Sequence, residues 1–436
     1  MSNSAGSSRE KRQLLAQLLA SKKQNSQMSA AHVGQYSHPL KGLTLPEEFT
    51  ARENWLASLN VESPFFTPID GLAKPACSCN GMPVVNFSSY NYLGLADDPR
   101  VIKASQDAVE KFGTSVSASR IASGERTIHH DLEKSLAALM ATEDALIFVS
   151  GFGTNETVIS HLLGAGDLII HDQLIHSSIL QGALASGATR MEIPHNDLDY
   201  LEKLLSEKRQ QFNQCLIIVE GLYSMDGDIC DLPRLVKIKK QYSTALMVDE
   251  AHSLGVLGKT GRGISEHWAV DSKEVDIWMG TLSKSLASCG GYIAASSELI
   301  KYLKYTVPGF IFSVGMTPAN AGAAIKAQEI MLEEPERVER LNKNAETFLL
   351  LTKQRGLETE LEHAYAVIPV FVRSADLAVR MSSQLLALGI YVQPAISPAV
   401  PEGAERLRFF ISSEHTDEQM AHAIEVTAKI LEDHLK

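Results

Sequence analysis

The sequence predicts an α/β protein with a mostly parallel sheet in a large domain, followed by a smaller C-terminal α+β domain. From about Asp131 onward, short apolar segments alternate with segments of helix length, which is typical of a parallel sheet covered by helices on both faces. After Pro318 this alternation of short apolar and helix-length segments ends, which predicts a second domain. The 436 residues also exceed the ~250–300 that a single hydrophobic core usually serves.

The apolar segments of the large domain predict its strands. Each contains four to six residues, and helix-length segments separate most of them. The predicted strands are Ala145–Val149, Leu168–His171, Cys215–Glu220, Ala245–Asp249, Asp276–Gly280 and Gly291–Ala295. Because functional side chains of parallel sheets gather at the C-terminal ends of the strands, we expect the functional site at that edge.

The C-terminal domain has its own predicted elements. They are a long helix from about Pro318 towards Arg355 that Gly356 ends, strands at Ala366–Val372 and Arg406–Ser412, and a last helix that opens with the capping box Thr416-Asp417-Glu418-Gln419. The predicted organisation is a basic tail or linker at 1–45, an N-terminal segment at 46–110, the large domain at 111–320 and the small domain at 321–436.

The composition excludes several classes of protein. Hydrophobic residues make up 44% and charged residues 21%, which excludes wholesale disorder. The longest apolar runs are strand-sized, well below the ~18–20 residues of a membrane helix, so we expect a soluble chain. A net charge of −12 argues against nucleic acid as the partner. The five cysteines are an odd, scattered set, which favours a reducing cytoplasm over a disulfide framework or a metal site.

One motif is shared with nucleic-acid enzymes, but the phosphate-binding loop that should accompany it is missing. Asp249-Glu250-Ala251-His252 spells the DEAH box of helicases, and Gly258-Lys259-Thr260 follows it. A phosphate-binding loop needs a glycine where this chain has Ser253, and that loop would have to precede the acidic strand. We therefore reject the helicase interpretation.

The chemistry of the chain centres on Lys284. It stands in the string GTLSKS, directly after the predicted strand DIWM and among hydroxyl side chains. Taken alone, it is most simply a surface lysine beside a turn. The alternative is a lysine that forms a Schiff base with a carbonyl cofactor, whose phosphate Thr281 and Ser283 would hold.

Further residues supply what a pyridoxal phosphate site needs. Asp249 ends a predicted strand, where a carboxylate can keep the ring nitrogen protonated. His252 can donate to the phenolic oxygen of the ring, and His176 can lie flat on it. Gly151 and Phe152 open a predicted helix, whose backbone N–H groups suit a phosphate. Each residue has an ordinary structural explanation, and it is the ordered set that indicates the cofactor.

In order and spacing, the set resembles the fold-type I pyridoxal phosphate enzymes and, more narrowly, the α-oxoamine synthase family. The resemblance covers about residues 46–436 and implies the aspartate aminotransferase-like fold. The matching strings include NFSSYNYLGLADDP, GTSVSASRIASG, VSGFGTNETVI, YSMDGDICDL, MVDEAHSLGVLGKTGRG, GTLSKSLASCGGYIA and RLRFFISSEHT.

This resemblance implies a role for each matching residue. Lys284 would bind the cofactor and later remove the Cα proton of an amino acid. Asp249 would pair with the pyridinium, His252 would bond to the phenolic oxygen and His176 would stack on the ring. The remaining cofactor-binding residues would be Ser224 beside the ring's oxygen side, and Gly151, Phe152, Thr281 and Ser283 around the phosphate.

The resemblance also implies a homodimer with shared active sites, in which Ser313 supplies a hydroxyl to the partner's phosphate. Arg408 would hold the amino acid carboxylate, a task suited to a planar, bidentate cation, although Arg406 has similar chemistry. Ser119 and Asn91 complete the implied substrate-binding residues, and no metal is implied. Ser119 replaces a threonine that excludes side chains larger than glycine in aminolevulinate synthases, which favours alanine or serine.

The implied reaction is a decarboxylative Claisen-type condensation of a small amino acid with an acyl thioester, giving an α-amino ketone. One branch of the family omits the decarboxylation. Acyl-CoA and an acyl carrier protein present the same thioester, so both remain candidate partners. Two alternatives are an aminotransferase of the same fold and a non-catalytic partner subunit; the presence of Lys284 argues against the second.

The first 45 residues differ from the rest of the chain. Six Lys or Arg against one Glu give them a charge of +5. Leu14, Leu15, Leu18 and Leu19 would share one face of a short helix. The segment is interpreted as a helix packing on its own or a neighbouring subunit, as a linker of a polyketide-type megasynthase, which EKRQLLAQLLASKK resembles, or, less favoured, as a mitochondrial presequence.

Overall fold

The computed structural model describes residues 47–436, so the predicted basic tail lies outside the described residues. Helix α1 (Glu47–Ser58) belongs to a unit that ends at Val61, and Glu62–Lys436 form a second compact unit. All features described below belong to the second unit. None of the helices from residue 47 onward is long and apolar enough to cross a membrane.

The large part of the second unit alternates strands and helices. Its elements are β1 (Ile69–Asp70), β2 (Ala76–Cys79), β3 (Met82–Asn86), α2 (Pro99–Phe112), α3 (Thr127–Met140), β4 (Asp144–Phe148), α4 (Gly151–Leu162), β5 (Leu168–Asp172), α5 (Ser177–Ser186), β6 (Thr189–Ile193), α6 (Leu198–Lys208), β7 (Cys215–Glu220), α7 (Leu232–Tyr242), β8 (Ala245–Asp249), α8 (Ile264–His267), β9 (Ile277–Thr281), β10 (Gly291–Ala295), α9 (Ser297–Thr306) and α10 (Pro308–Ile311).

A seven-stranded sheet forms the centre of this part, with strand order β4-β10-β9-β8-β7-β5-β6. β10 runs antiparallel to both of its neighbours, and the pairs from β9 to β6 are parallel. All six residues of β7 are buried, as expected of a strand with both faces covered. The predicted fold class is confirmed. The six strands predicted for this sheet all form within one residue at each end, whereas β6, with mostly half-exposed or exposed residues, was not predicted. In the C-terminal part, the strand predicted at Arg406–Ser412 ends two residues earlier, at Phe410.

The parallel strands end at one edge of the sheet. β5 ends at Asp172, β7 at Glu220 and β8 at Asp249, and β9 ends at Thr281, three residues before Lys284. Parallel pairing therefore brings side chains from distant parts of the sequence to one place, as predicted.

The prediction of one long helix after Pro318 is wrong. Two helices form instead, α11 (Pro318–Glu333) and α12 (Glu336–Gln354). The break falls at Glu334-Pro335, because proline lacks the N–H that would continue the first helix and restricts the backbone of the residue before it. Glu334 accordingly leaves the helical region, with φ −121° and ψ 62°.

The C-terminal part is a second α+β assembly. Its remaining elements are β11 (Val367–Phe371), α13 (Ala375–Ala387), β12 (Ile390–Tyr391), β13 (Gln393–Ala395), β14 (Arg406–Phe410) and α14 (Asp417–Leu435). β11, β14 and β13 form an antiparallel sheet. The capping box at Thr416 and Gln419 forms as predicted at the start of α14.

The N-terminal segment and the C-terminal part share a small sheet. β12 pairs in parallel with β3, whose other neighbours are β2 and β1. The sequence did not indicate this pairing, because strands of two to five residues are too short to show a clear alternation of apolar and polar residues. Helix α13 was not predicted either. The predicted domain boundaries at residues 110 and 320 remain a prediction.

Candidate active site

A cavity of about 220 Å³ lies at the edge where β8 and β9 end and α4 begins. Eight of the predicted site residues line it: Gly151, Phe152, His176, Asp249, His252, Thr281, Ser283 and Lys284. Six further residues complete its wall: Ser150, Asn155, Ser178, Glu220, Ala251 and Met279. The residues that the sequence predicted for the cofactor thus largely converge on one cavity.

Lys284 reaches the cavity from the turn that joins β9 to β10. Backbone hydrogen bonds hold this turn: the Leu282 N–H donates to the Gly290 carbonyl at 2.9 Å, and the Ala287 N–H donates to the Lys284 carbonyl at 2.9 Å. Burial lowers the pKa of the Lys284 amine to about 8, although the charge of Asp249 acts in the opposite direction. Near neutral pH a useful fraction of the amine is therefore unprotonated and nucleophilic.

Asp249 is a buried carboxylate with a fixed orientation. One of its oxygens accepts a hydrogen bond from Asn155 Nδ2 at 2.8 Å, and the other accepts one from the Ala251 N–H at 2.9 Å. Asn155 Nδ2 also donates to Ser178 Oγ at 3.0 Å. These bonds join the end of β8 to α4 and α5.

His252 is buried and bonded to a tyrosine that the sequence had not indicated. Tyr92 Oη lies 2.7 Å from His252 Nδ1. Burial raises the pKa of Tyr92 well above its usual value, so the phenol is neutral and can donate this bond. Burial and the nearby cations Lys284 and Arg408 hold the pKa of His252 well below its usual value. With Tyr92 as donor to Nδ1, the neutral imidazole carries its proton on Nε2.

His176 caps the N-terminus of α5. Its Nδ1 accepts a hydrogen bond from the Ser178 backbone N–H at 3.3 Å and lies 2.7 Å from Ser178 Oγ. Since Nδ1 is an acceptor, the proton of the neutral ring is on Nε2. Burial lowers the pKa of His176 and so favours this neutral form.

The start of α4 is suited to an anion. Ser150 caps the helix by accepting a hydrogen bond from the Gly153 N–H at 3.3 Å. The N–H groups of Gly151 and Phe152 have no acceptor among residues 47–436. A Cβ atom on Gly151 would lie 2.8 Å from Thr281 Oγ1, so only glycine allows this close approach. Free N–H groups at a helix N-terminus beside hydroxyls form a common phosphate site.

Glu220 is a site residue that the sequence analysis did not single out. Its Oε2 accepts a hydrogen bond from the Ser224 N–H at 3.3 Å, and Oε1 is buried without a partner in the described part of the chain. Burial and the negative charge of Asp249 raise the pKa of Glu220 well above its usual value. The signal available in the sequence was an acidic residue at the end of the predicted strand Cys215–Glu220.

Arg408 and Arg406 have different surroundings. Arg406 is buried and pairs with Asp226 at 2.6 Å. No carboxylate of the described residues lies within ion-pair distance of Arg408. Its Nη1 donates to the Ser224 carbonyl at 2.9 Å, and its Nη2 lies 3.4 Å from Tyr90 Oη. Of the two arginines, Arg408 is therefore the one without a carboxylate partner in the described residues, and its role in binding the substrate carboxylate stays a prediction.

Five predicted site residues do not line the cavity: Ser119, Asn91, Ser224, Ser313 and Arg408. Ser224 and Arg408 bond to each other, and Ser224 also bonds to the lining residue Glu220. Ser119 pairs with Val314 in an isolated antiparallel bridge, which puts it beside the segment that contains Ser313.

Asn91 has a structural role in its loop. Its Oδ1 accepts hydrogen bonds from the N–H groups of Leu95 at 2.9 Å and Ala96 at 3.1 Å. Its Nδ2 donates to the Ala73 carbonyl at 2.8 Å and lies 3.4 Å from Asp97 Oδ1. These four contacts use the full hydrogen-bonding capacity of the amide and give Asn91 a structural role, while its contact with substrate stays a prediction.

The fold and the cavity together define an enzyme site built on a lysine, a buried aspartate and two histidines. The family model for aminotransferase class I and II matches residues 82–426. The chain is 39% identical over 369 residues to a serine palmitoyltransferase of Sphingobacterium spiritivorum, covering 84% of this chain and 91% of that protein. It is 40% identical over 363 residues to an 8-amino-7-oxononanoate synthase of Treponema denticola, with 83% and 91% covered.

Solved structures agree with these sequence relationships. A serine palmitoyltransferase described as carrying a pyridoxal phosphate internal aldimine superimposes with a TM-score of 0.85 at 29% identity, covering 90% of this chain and 98% of that one. The chain belongs to the aminotransferase class I and II family and, within it, to the α-oxoamine synthases.

Proposed function

We propose that this protein is a pyridoxal-phosphate-dependent α-oxoamine synthase. The reaction is a decarboxylative Claisen-type condensation of a small amino acid with an acyl thioester. A carbon–carbon bond forms at Cα of the amino acid, the thiol and CO₂ leave, and an α-amino ketone remains. The observation that carries the proposal is the convergence of Lys284, Asp249 and His176 on one cavity.

The phosphate end of the cavity fits the cofactor. The free N–H groups of Gly151 and Phe152 would donate to the phosphate at the N-terminus of α4, where the helix dipole also favours negative charge. The hydroxyls of Thr281 and Ser283 would add further donors. The 2.8 Å approach that glycine permits at position 151 supports a compact cradle of this kind.

The ring end of the cavity fits as well. Asp249 offers a carboxylate held by two donors, which suits a protonated ring nitrogen. The buried atoms Glu220 Oε1 and Asn155 Oδ1 line this region and lack partners among the described residues. Buried polar atoms are nearly always paired, so such orphans support a bound polar group.

The side chains divide the work between charge and proton transfer. Pyridoxal phosphate, when bound, supplies an electron-poor ring that accepts the electron pair left at Cα. Asp249 would keep the proton on the ring nitrogen through a charge–charge interaction. His252 would donate from Nε2 to the phenolic oxygen. Lys284, with its pKa of about 8, is the base that takes the Cα proton and later returns it.

We propose Arg408 as the group that holds the amino acid carboxylate. Its guanidinium has no competing carboxylate in the described residues, and its orientation is maintained by the Ser224 carbonyl. A planar fork of N–H donors matches a carboxylate in a bidentate manner. Ser119 favours alanine or serine over glycine as the substrate, since it is smaller than threonine by one methyl.

The acyl donor is an acyl thioester, delivered by CoA or by a carrier protein. Residues 1–45 carry a charge of +5, which would complement an acidic carrier protein of a polyketide-type system. Deletion of these residues should then lower transfer from an acylated carrier and leave transfer from acyl-CoA unchanged. We propose a cytoplasmic location, which the five free thiols support.

We further propose a homodimer with shared sites. Phe312 is 84% exposed and Val314 50% exposed, and Ile121, close to the Ser119–Val314 bridge, is 55% exposed. Clustered exposed apolar side chains of this kind favour an interface. Ser313 stands between Phe312 and Val314, where its hydroxyl could serve the site of a partner subunit.

An absorbance titration would test the proposed function. The purified protein, reconstituted with pyridoxal phosphate, is titrated with glycine, alanine and serine, and then supplied with acyl-CoA or an acylated carrier protein. We expect a yellow protein whose spectrum changes with one amino acid, and release of thiol and CO₂ when the thioester is added. A colourless protein would refute the proposal. Formation of an oxo acid without thiol release would indicate an aminotransferase instead.

A further inference from the structure

His195 lies between two aspartates, one at the end of β5 and one in the segment that follows β7. Its Nδ1 is 2.8 Å from Asp172 Oδ1, and its Nε2 is 2.8 Å from Asp228 Oδ2. Each ring nitrogen thus faces a carboxylate oxygen, and the imidazolium is the form in which both nitrogens can donate. Burial alone would lower the pKa of His195, but the bonds to Asp172 and Asp228 raise it to about 10.

Both aspartates are themselves fixed. Asp172 ends β5, is 1% exposed, and accepts hydrogen bonds from the N–H groups of Leu174 at 2.8 Å and Asn196 at 2.7 Å. Asp228 also accepts a bond from Asn196 Nδ2 at 2.7 Å. The rings of His195 and Tyr223 pack at right angles to each other, with 4.5 Å between centroids. His195 therefore joins the rigid end of β5 to the segment that follows β7.

That segment, Tyr223 to Asp228, is a tight loop, which we call the arginine loop. The Tyr223 N–H donates to the Asp228 carbonyl, and the Gly227 N–H donates to the Tyr223 carbonyl, both at 2.9 Å. A Cβ atom on Gly227 would lie 2.2 Å from the Val367 carbonyl oxygen, so the loop sits directly against β11.

The arginine loop contacts both arginines of β14. Asp226 pairs with Arg406. The Ser224 carbonyl accepts from Arg408 Nη1 at 2.9 Å, and Met225 Sδ lies 3.2 Å from the same nitrogen. The orientation of Arg408 thus depends on the position of a loop whose far end is bound to His195.

We propose that His195 is a positioning residue: as an imidazolium it fixes the arginine loop, and the loop holds Arg408 ready for the substrate carboxylate. This inference rests on the proposed function, because it assigns the carboxylate of the amino acid to Arg408. The ionisable groups that face His195 are Asp172 on β5 and Asp228 and Tyr223 on the arginine loop. Without the imidazolium, Asp172 and Asp228 would face each other uncompensated, and the loop would shift.

Steady-state kinetics of His195→Gln would test the role. We expect KM for the amino acid to rise roughly tenfold, which corresponds to about 1.4 kcal/mol, with kcat and the KM of the thioester changed less than about twofold. The double variant His195→Gln/Asp228→Asn also removes one of the two uncompensated carboxylates. Its KM for the amino acid should therefore return part of the way to the wild-type value. The matched control is His422→Gln at an exposed position of α14.

Two measurements on the protein itself do not depend on the reaction. Nitrogen NMR of the histidines should show both His195 nitrogens protonated at about pH 8, well below its pKa of about 10. Hydrogen exchange of the amides of residues 223–228 should be faster in His195→Gln than in wild type, and unchanged in His422→Gln.

The possible outcomes separate the two proposals. A neutral His195 at about pH 8, or an unchanged amino acid KM in His195→Gln, would overturn the positioning role. A fall in kcat accompanied by similar rises in KM for the amino acid and for the thioester would also overturn it, since this pattern indicates a general structural defect. If His195→Gln does not fold, Asp228→Asn with intact His195 provides the same kinetic comparison. Wild-type protein that forms no α-amino ketone would refute the proposed function, while the NMR and exchange results would still decide whether His195 fixes the loop.

Discussion

Glu220 and Asp249 stand opposite each other at the ends of two adjacent parallel strands, β7 and β8. Both are buried, yet their hydrogen bonds differ. Asp249 has a donor on each oxygen, whereas Glu220 has a buried oxygen without a partner in the described residues. Burial and the nearby charge of Asp249 raise the pKa of Glu220 well above its usual value, so the Glu220 carboxyl is held in its protonated form.

Glu220→Gln should therefore be tolerated, since an amide resembles a protonated carboxyl. The raised pKa of Glu220 contributes to the free energy of unfolding. This contribution is fully present at a pH below the unfolded-state pKa, and it is lost as the pH rises through the folded-state pKa. Denaturant unfolding of the cofactor-free protein from about pH 5 to about pH 9 should show a smaller loss of stability in Glu220→Gln than in wild type. An identical pH dependence in both proteins would indicate that Glu220 is already ionised at neutral pH.

The reactivity of Lys284 should follow its pKa of about 8. Only the neutral amine attacks the aldehyde of pyridoxal phosphate, so the rate at which cofactor-free protein turns yellow should be half-maximal near that pH. Stopped-flow absorbance across the pH range gives this value. Lys284→Ala should lose the colour and reduce turnover by roughly 10²–10⁴-fold, whereas Lys301→Ala, at an exposed position of α9, should change neither.

Arg408→Lys and Arg406→Lys form a matched pair. A lysine cannot make the bidentate contact, so Arg408→Lys should raise KM for the amino acid about tenfold or more, with little effect on unfolding. Arg406→Lys weakens a buried pair with Asp226 and should lower the free energy of unfolding by about 1–3 kcal/mol, with a smaller rise in KM. Kinetics and denaturant unfolding measure both. The reverse order of the KM effects would assign the substrate carboxylate to Arg406.

Asn91→Ala should affect stability without affecting substrate binding. The substitution leaves the N–H groups of Leu95 and Ala96 without their acceptor, which should cost about 1–3 kcal/mol in the free energy of unfolding. The KM for the amino acid should stay within about twofold of wild type, as measured in the folded fraction. A large rise in KM with unchanged stability would restore Asn91 as a substrate ligand.

Phe312→Asp should convert the proposed dimer to a monomer. A charge at this 84% exposed aromatic would oppose burial in an interface and leave an isolated chain intact. Sedimentation velocity should show a halved mass, and turnover should fall because Ser313 no longer reaches a partner. Leu388→Asp, at a position 56% exposed elsewhere, is the control and should remain dimeric. An unchanged mass for Phe312→Asp would remove this surface as the interface.

The strands and the residues with chemistry of their own could be predicted from the sequence. β7, β8 and β10 have the predicted bounds, and Lys284, Asp249, His252 and His176 line one cavity as expected. Long apolar runs and a reactive residue type at a strand end are local signals. The break at Glu334-Pro335 also has a local cause, since the proline interrupts a helical periodicity that continues on either side of it.

The partners of these residues could not be predicted in the same way. Tyr92 bonds to His252 across 160 positions, and Asn155 bonds to Asp249 across 94. Asn91 matched the family strings, but its amide bonds to Leu95, Ala96 and Asp97 of its own loop and to the Ala73 carbonyl 18 positions earlier.

The sequence by itself determined the fold class, the strand ends and the chemical character of the site, because each depends on residues that are neighbours along the chain. Only the tertiary structure decided which strand-end carboxyl has a raised pKa, which arginine has no carboxylate partner among the described residues and which histidine is a cation. These properties depend on burial and on charges brought together by the parallel sheet. Glu220 and Asp249 are both acids at strand ends in the sequence, and in the folded protein burial and the neighbouring carboxylate raise the pKa of Glu220.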